Sequence, residues 1–359
     1  MRKILVISEC SFHNPTFRIV LDSLALEYAG RGHSVRVAAP LSPYTLSEPR
    51  GAKNRRTSWG TLMRLWGNDG GRVPSVNIAK LAPLTREADF VHLHLIGDYT
   101  EAVLRLDRLL RASKAAVLAS FHDYRNPSIR RTPESVAGYA SLLHGREATV
   151  PSRFGRNLLL EDFPFLKGRI AIVPDGVQLE PLTRRAPETP FVLCPAWLAY
   201  YKAPDILMMA WAALENPPPL VFAGHDPGGQ ARALAERLGL TRSGQVRFLG
   251  QIGHRRTLGL MAASEFVVLP SRHEFFGMAA LEAMALGKAV VASATGPTDF
   301  IRNEVSGLLV PPGKIAPLAR ALKRLLEDAP LRRRLGREAK RTAARYTWES
   351  AAARYLDLL

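Results

Sequence analysis

The sequence predicts an α/β protein of two domains, and three observations carry that prediction. Short apolar runs rich in β-branched residues alternate with helical stretches, the pattern of layered, mostly parallel sheets. The alternation runs twice, and between the two runs lies Glu180–Pro190, a proline-rich polar stretch suited to an interdomain linker. At 359 residues the chain also exceeds what a single hydrophobic core comfortably serves.

In the first half, strands are predicted at Lys3–Ser8, Ser34–Ala39, Phe90–His94, Ala116–Phe121, Ala148–Val150 and Ile170–Val173. Helices are predicted near Phe17–Gly30, Thr100–Ser113 and Arg153–Glu161. Gly30-Arg31-Gly32-His33 ends the first helix, as glycine does at a helix C-terminus. The opening Met1-Arg2-Lys3-Ile4 run lacks a long apolar region and a small-residue cleavage site, so it reads as a first strand rather than a leader. In the second half the strands are Phe191–Pro195, Leu220–Gly224, Val246–Leu249, Phe266–Leu269, Ala289–Ala292 and Leu308–Val310. Pro204 suits the first turn of a helix over Pro204–Leu214, where its missing N–H costs nothing. Thr347 to Leu359 reads as an amphipathic helix. The two halves share architecture and no internal sequence repeat.

Apolar residues make up 47% of the chain, enough for globular burial and too many for disorder. The two cysteines, Cys10 and Cys194, fall on predicted strands and read as buried thiols rather than a disulfide. No apolar run is long enough to span a membrane. The net charge of +17 admits nucleic acid, an anionic membrane or a merely soluble basic surface as its reason. Much of it sits on the last helices, from Arg320 to Arg345, with few aromatic residues among the cations. That is a solvated face rather than a stacking platform, which sets nucleic acid aside. A second cluster, Arg50, Lys53, Arg55, Arg56, Arg64 and Arg72, is interleaved with Trp59, Leu62, Leu65 and Trp66. It fits contact with a membrane interface or, equally, a surface segment over an acceptor site. The expected location is cytoplasmic, with peripheral attachment at the inner membrane face as the companion reading.

Glu274 and Glu282 lie eight residues apart in a strand-turn-helix-strand segment. If helical throughout, that spacing is a little over two turns, about 12 Å of axis, so one carboxylate precedes the helix and the other lies within it. Gly277 lets a ligand approach the backbone, and a helix start offers free amides to an anion. Alone, the pair reads as well as two solvated glutamates.

The surrounding residues decide between the two. Ser271, Glu274, Gly277, Glu282-Ala283-Met284-Ala285, Gly287, Val290-Val291-Ala292, Gly296 and Ser306-Gly307-Leu308-Leu309-Val310 together resemble the donor-binding half of glycosyltransferase family 4. The match is good over about 190–358 and looser before it. The resemblance implies a GT-B fold: two Rossmann-like α/β domains facing across a cleft, with a C-terminal helix crossing back to the first. On it, residues 1–185 bind acceptor, 186–342 bind a nucleotide sugar, and 343–359 form the returning helix. It implies a retaining transfer from a nucleoside-diphosphate sugar, UDP- or GDP-linked, to a hydroxyl of a glycan, lipid-linked or small-molecule acceptor. Ligands of such sheets bind beyond the carboxyl ends of the strands.

By the same resemblance Glu274 contacts donor-sugar hydroxyls and steadies positive charge at the anomeric carbon, and Glu282 takes the ribose hydroxyls. Phe276, Gly277, Met278 and Ala279 supply backbone amides, Gly250 and Gln251 contact the base, and Gly224 lies close to the nucleotide. Lys202 grips the diphosphate. Where the family has Gly-Arg before that lysine, this chain has Ala196-Trp197, and Ala203 replaces the glycine after it. Losing one charge-assisted phosphate contact costs about 1.5–3 kcal/mol unless replaced. Arg272, His273 and Arg18 are the candidate replacements. His122 occupies the family's N-domain histidine position, and His92 and His94 read as core or wall histidines rather than metal ligands. The family's glycine loop is replaced by His13, Asn14, Thr16 and Arg18, which we take as acceptor-binding. No Asp-x-Asp occurs, so no metal or other cofactor is expected. The alternatives are a sugar phosphorylase, a nucleotide-sugar epimerase or a non-catalytic binder on the same fold.

Overall fold

The structure is a computed structural model. It describes residues 1–8, 15–38, 66–67, 75–76, 78–95, 100–125, 132–179 and 189–358, with the backbone alone at 15–18, 66–67, 75–76, 78–80 and 100–102. The chain forms two compact units, Met1–Gly176 with Trp348–Leu359, and Val177–Thr347. The division falls ahead of the proline-rich stretch because Val177 N–H already donates to Tyr346 O at 2.8 Å, within the second unit.

Unit 1 runs β1 (Lys3–Ser8), α1 (Pro15–Gly30), β2 (Ser34–Ala38), β3 (Trp66–Gly67), β4 (Ser75–Val76), α2 (Ile78–Glu87), β5 (Phe90–Leu95) and α3 (Thr100–Arg111). It continues through β6 (Ala116–Phe121), α4 (Pro133–Leu143), β7 (Glu147–Val150), α5 (Arg153–Asp162) and β8 (Ile170–Ile172). Six strands form one parallel sheet in the order β2-β1-β5-β6-β7-β8, while β3 and β4 pair antiparallel by themselves. Every residue of β5 is buried, which suits a strand covered on both faces. Two helix starts carry clear caps. Thr132 and Ser135 close a reciprocal box before α4, and Ser152 Oγ accepts from Gly155 N at 3.0 Å before α5.

Unit 2 runs β9 (Val192–Cys194), α6 (Pro204–Ala212), β10 (Leu220–Phe222), α7 (Gln230–Arg237), β11 (Val246–Phe248), α8 (His254–Ala263), β12 (Val267–Leu269) and α9 (Met278–Ala285). It closes with β13 (Val290–Ser293), β14 (Leu308–Val310), α10 (Ile315–Glu327) and α11 (Ala329–Ala343). Its six strands are parallel in the order β11-β10-β9-β12-β13-β14. Strand alternation makes two cores from one sheet. Val192 and Cys194 face α6 and α10, with Trp211 fully buried among them. Leu193 faces the opposite layer with Leu281 and Met284 of α9. Gly287 ends α9 at φ +75, and a Cβ on Gly336 would sit 2.3 Å from the Gly287 carbonyl oxygen, so α11 crosses there in backbone contact.

The final helix, α12 (Trp348–Asp357), belongs to unit 1, where it packs on α1 and buries Trp348, Ala351, Ala352 and Tyr355. This is the expected return to the N-terminal domain. Most predicted strands appear within a residue or two of the expected bounds. Helices α2, α4, α7 and α8 are additions to the expected set. Cys194 is buried, and burial pushes its thiol up to about 12, with Lys202 acting weakly the other way. Cys10, residues 180–188 of the proline-rich stretch and the basic cluster from Arg50 to Arg72 lie outside the described residues, apart from the Trp66 backbone. Along α10 and α11, Arg320, Lys323, Arg324, Arg333, Arg334, Arg337, Lys340 and Arg341 are exposed, the solvated face expected. Among the described residues no helix is long and apolar enough to cross a membrane.

Candidate active site

The order of the second sheet reverses between β9 and β12. The next strand in sequence after β9, β10, lies on one side of it, whereas β12 lies on the other. Such a switch point leaves a crevice beyond the carboxyl ends of the two strands, because the connections leave in opposite directions. Lys202 follows β9 and Glu274 follows β12, so the topology alone brings them to one place.

Lys202 Nζ lies 2.7 Å from Glu274 Oε2, and Ser271 Oγ donates to the same oxygen at 3.3 Å. Both side chains of the pair are about four-fifths buried, at 19% and 18% exposure. Their loops are stitched together. Arg272 N donates to Tyr201 O at 2.8 Å, its Nη1 to Tyr200 O at 2.8 Å, and its two terminal nitrogens grip Asp205 at 2.8 and 2.6 Å. The guanidinium also covers the Tyr200 ring at 4.1 Å. Arg272 therefore holds the Tyr200–Lys202 turn against the Glu274 loop. Ala203, after Lys202, takes the left-handed conformation at φ 55, ψ 45, the backbone for which glycine is the usual residue.

Gly277 precedes α9 at φ +103. A Cβ there would lie 2.8 Å from Pro297 Cγ and 3.4 Å from Glu274 Cγ. Gly296 N–H donates to Glu274 O at 2.8 Å, and any side chain on Gly296 would strike the Glu274–Phe275 backbone at 2.5 Å. Phe276 is buried against Phe300, with ring centroids 5.1 Å apart, which anchors the turn. Met278 and Ala279 follow as the first residues of α9, whose first-turn amides have no acceptor within the helix.

Glu282, one turn into α9, is buried and receives a hydrogen bond from His254 at 2.7 Å, Nε2 to Oε1. His254 opens α8 and belongs to no motif noted in the sequence. Its imidazole is raised from the ordinary histidine value, chiefly by the hydrogen bond to Glu282, with burial opposing.

The remaining donor candidates continue along the same edge. Gly224 follows β10, and a Cβ there would overlap Ala196 O at 1.8 Å, so only glycine fits beside the β9 loop. Trp197 is 47% exposed, with His225 at 6.3 Å between ring centroids. Gly250, at φ +67, and exposed Gln251 follow β11.

In unit 1, His122 follows β6 with its side chain 5% exposed. Its Nε2 lies 2.8 Å from His94 Nδ1 and its Nδ1 lies 3.4 Å from Asp175 Oδ1. His92 joins a second string, with Tyr28 Oη at 3.0 Å and Ser120 Oγ at 2.7 Å. Tyr355 of α12 packs on His92 with ring centroids 4.6 Å apart. Burial pushes His92 and His94 well below the ordinary histidine range, and neighbouring imidazoles push the same way. Both are neutral core histidines. Among the described residues no three His, Cys, Asp or Glu side chains converge as a metal site. Of the acceptor candidates, His13 and Asn14 lie outside the described residues, and Thr16 and Arg18 are placed in α1 by backbone alone.

Comparison with known proteins bears on the family and the fold. Residues 18–181 match Glycosyltransferase Family 4 and residues 182–342 match Glycosyl transferases group 1. Among curated proteins, a D-inositol 3-phosphate glycosyltransferase of Salinispora tropica is 39% identical over 171 residues, 44% of this chain and 35% of that protein. The matched stretch spans between 35% and 60% of the length of such relatives. Among solved structures, sucrose-phosphate synthase from Thermosynechococcus elongatus superposes with a TM-score of 0.79 at 22% identity, covering 100% of this chain and 98% of that one. HepE from Anabaena, solved with UDP-glucose, gives 0.77 at 18% identity with full coverage of both chains. The two sequence matches divide close to where the fold does, and the chain belongs to glycosyltransferase family 4, with the GT-B fold.

Proposed function

We propose that the protein transfers a sugar, with retention of anomeric configuration, from a nucleoside-diphosphate sugar to an acceptor hydroxyl. The observation that carries this reading is the Lys202–Glu274 pair at the switch point, beside the open amides of α9. In this reading Glu274 hydrogen-bonds the donor sugar and steadies charge at the anomeric carbon, while Lys202 and the Gly277–Ala279 amides offset charge on the departing diphosphate. Glu282 takes the ribose hydroxyls, Gly250 and Gln251 the base, and Gly224 and Trp197 line the β9–β10 end. Arg272 acts by holding the Lys202 turn. His122, buried between His94 and Asp175, acts through its place in the wall of unit 1. The acceptor oxygen bonds to the anomeric carbon as the bond to the diphosphate oxygen breaks, and the acceptor proton passes to that leaving oxygen. No metal or enzyme nucleophile enters this scheme.

A UDP-linked donor is favoured because HepE, of the same fold, binds UDP-glucose. Relatives that act on D-inositol 3-phosphate favour a small hydroxylated acceptor over a long glycan. His13, Asn14, Thr16 and Arg18 are the proposed acceptor contacts. Interfacial membrane attachment through the Arg50–Arg72 cluster is part of the same proposal. The test is nucleoside-diphosphate release with a panel of donors and acceptors. The E274A variant should lose activity at least about a hundredfold, the scale of one electrostatic contact removed from a transition state. An undiminished rate with a folded variant would remove Glu274 from the reaction.

A further inference from the structure

We propose that His254 is the positioning residue of the ribose-binding carboxylate, and that its proton couples donor affinity to pH. This rests on reading Glu282 as the ribose ligand.

The geometry is specific. His254 Nε2 meets Glu282 Oε1 at 2.7 Å, across the packing of α8 on α9. The carboxylate side chain is 9% exposed and the imidazole 35%, so the pair reaches solvent from the histidine side. An isolated glutamate would sample several rotamers, and a ligand would have to order it on binding. One fixed oxygen removes that freedom beforehand. Among the described residues Oε2 has no hydrogen-bond partner. A carboxylate offers about four lone-pair positions, and His254 occupies one, leaving room for the two O–H donors of a vicinal diol.

The pair is also sensitive to protons in a defined direction. Glu282 is the one charged residue of α9, the element packed on α8, and along its own helix His254 is followed by Arg255 and Arg256. The imidazole is raised above its ordinary value of 6.5, chiefly by the hydrogen bond to Glu282, so the imidazolium persists to higher pH than that of a free histidine. As the imidazolium, or as the Nε2–H tautomer, His254 donates to Oε1. Once neutral it can also adopt the Nδ1–H tautomer, which turns a lone pair toward the carboxylate. Donor affinity should therefore fall as pH rises through the His254 titration, above 6.5.

The test is calorimetric binding of UDP-glucose and its 2′-deoxyribose counterpart between pH 5.5 and 8.5, with thermal unfolding measured on each variant. Wild-type protein should prefer the ribonucleotide. H254A should weaken UDP-glucose binding about tenfold and the deoxy analogue little, as expected for one hydrogen bond lost from an organised site. H254Q, which can still donate, should recover affinity to within about threefold and lose the pH dependence. If H254A keeps both affinity and ribose preference, or loses affinity for the two ligands equally, His254 is not the positioning residue. E282Q separates this from the underlying reading. If E282Q loses ribose preference while H254A keeps it, the inference alone falls. If E282Q keeps the preference, or wild-type protein binds neither ligand, the ribose assignment falls and takes the inference with it.

Discussion

At the scale of single residues, the site depends on backbone positions as much as on charges. Gly277 shows this. Its φ of +103 suits only glycine, and a methyl group would overlap Pro297 Cγ at 2.8 Å while only touching the Glu274 side chain at 3.4 Å. We expect G277A to lower stability by about 1–3 kcal/mol and to weaken donor binding, because the strained residue lies in the turn between Glu274 and the first amides of α9. Urea unfolding and donor titration of the same variant check both halves. A variant of wild-type stability that binds donor normally would show that the turn is free to relax. Much of this was legible in the sequence. Glu274, Gly277, Glu282 and Lys202 stand in an ordered pattern that puts Lys202 and Glu274 after strands, Gly277 at a helix start and Glu282 one turn inside that helix. His254 was not legible, because its bond to Glu282 spans 28 residues and a lone histidine at a polar helix start carries no signal. Nor was the tie from Arg272 to Asp205, 67 residues apart, which turns a candidate phosphate ligand into a brace.

At the scale of elements, strands were easier to read than helices, for a physical reason. Strands buried on both faces are near-continuous apolar runs, as in Phe90–Leu95 and Val290–Ser293. The unexpected helices lack that contrast. Helix α2 contains Pro83, α8 opens on His254-Arg255-Arg256, and of α7 only Ala231 and Ala235 are buried. Helix α4 did carry a start signal in Thr132-Pro133, with the proline at the first helical turn. One contact between elements makes a sharp prediction. A Cβ on Gly336 would meet the Gly287 carbonyl oxygen at 2.3 Å, and carbon and oxygen cannot approach so closely. G336A must push α11 away from the end of α9, the helix that carries Glu282. We expect about 1–3 kcal/mol of destabilisation, and a fall in Tm of roughly 2–4 °C for each kcal/mol in a unit of this size. Scanning calorimetry checks it, and an unchanged Tm would mean that α11 does not lie as described.

At the scale of the whole molecule, the two units should answer acid differently. In unit 1 burial holds His92 and His94 neutral, with folded pKa values well below 6.5. The unfolded chain binds those protons more readily, so their contribution is present above pH 6.5 and is lost as pH falls below it. Each histidine steepens the loss by up to roughly 1.4 kcal/mol per pH unit until its folded pKa is reached. In unit 2 the sign is opposite. His254 is raised beside Glu282, so its contribution is full below 6.5 and fades as pH rises through the folded value. Carboxylates held low by hydrogen bonds, against burial, begin to lose their contribution only below about pH 4.5 for Glu134 and Glu304 and below 3.8 for Asp107 and Asp205, one of each kind in each unit. Between about pH 6.5 and 4.5, then, the histidines set the difference. Hydrogen exchange of the full chain, corrected for intrinsic rates at each pH, reads the two units separately. Peptides from β5 and β6 should lose protection first, while those from β9 and β12 hold. Simultaneous loss, or earlier loss in unit 2, would show that the buried imidazoles of unit 1 do not control its acid stability.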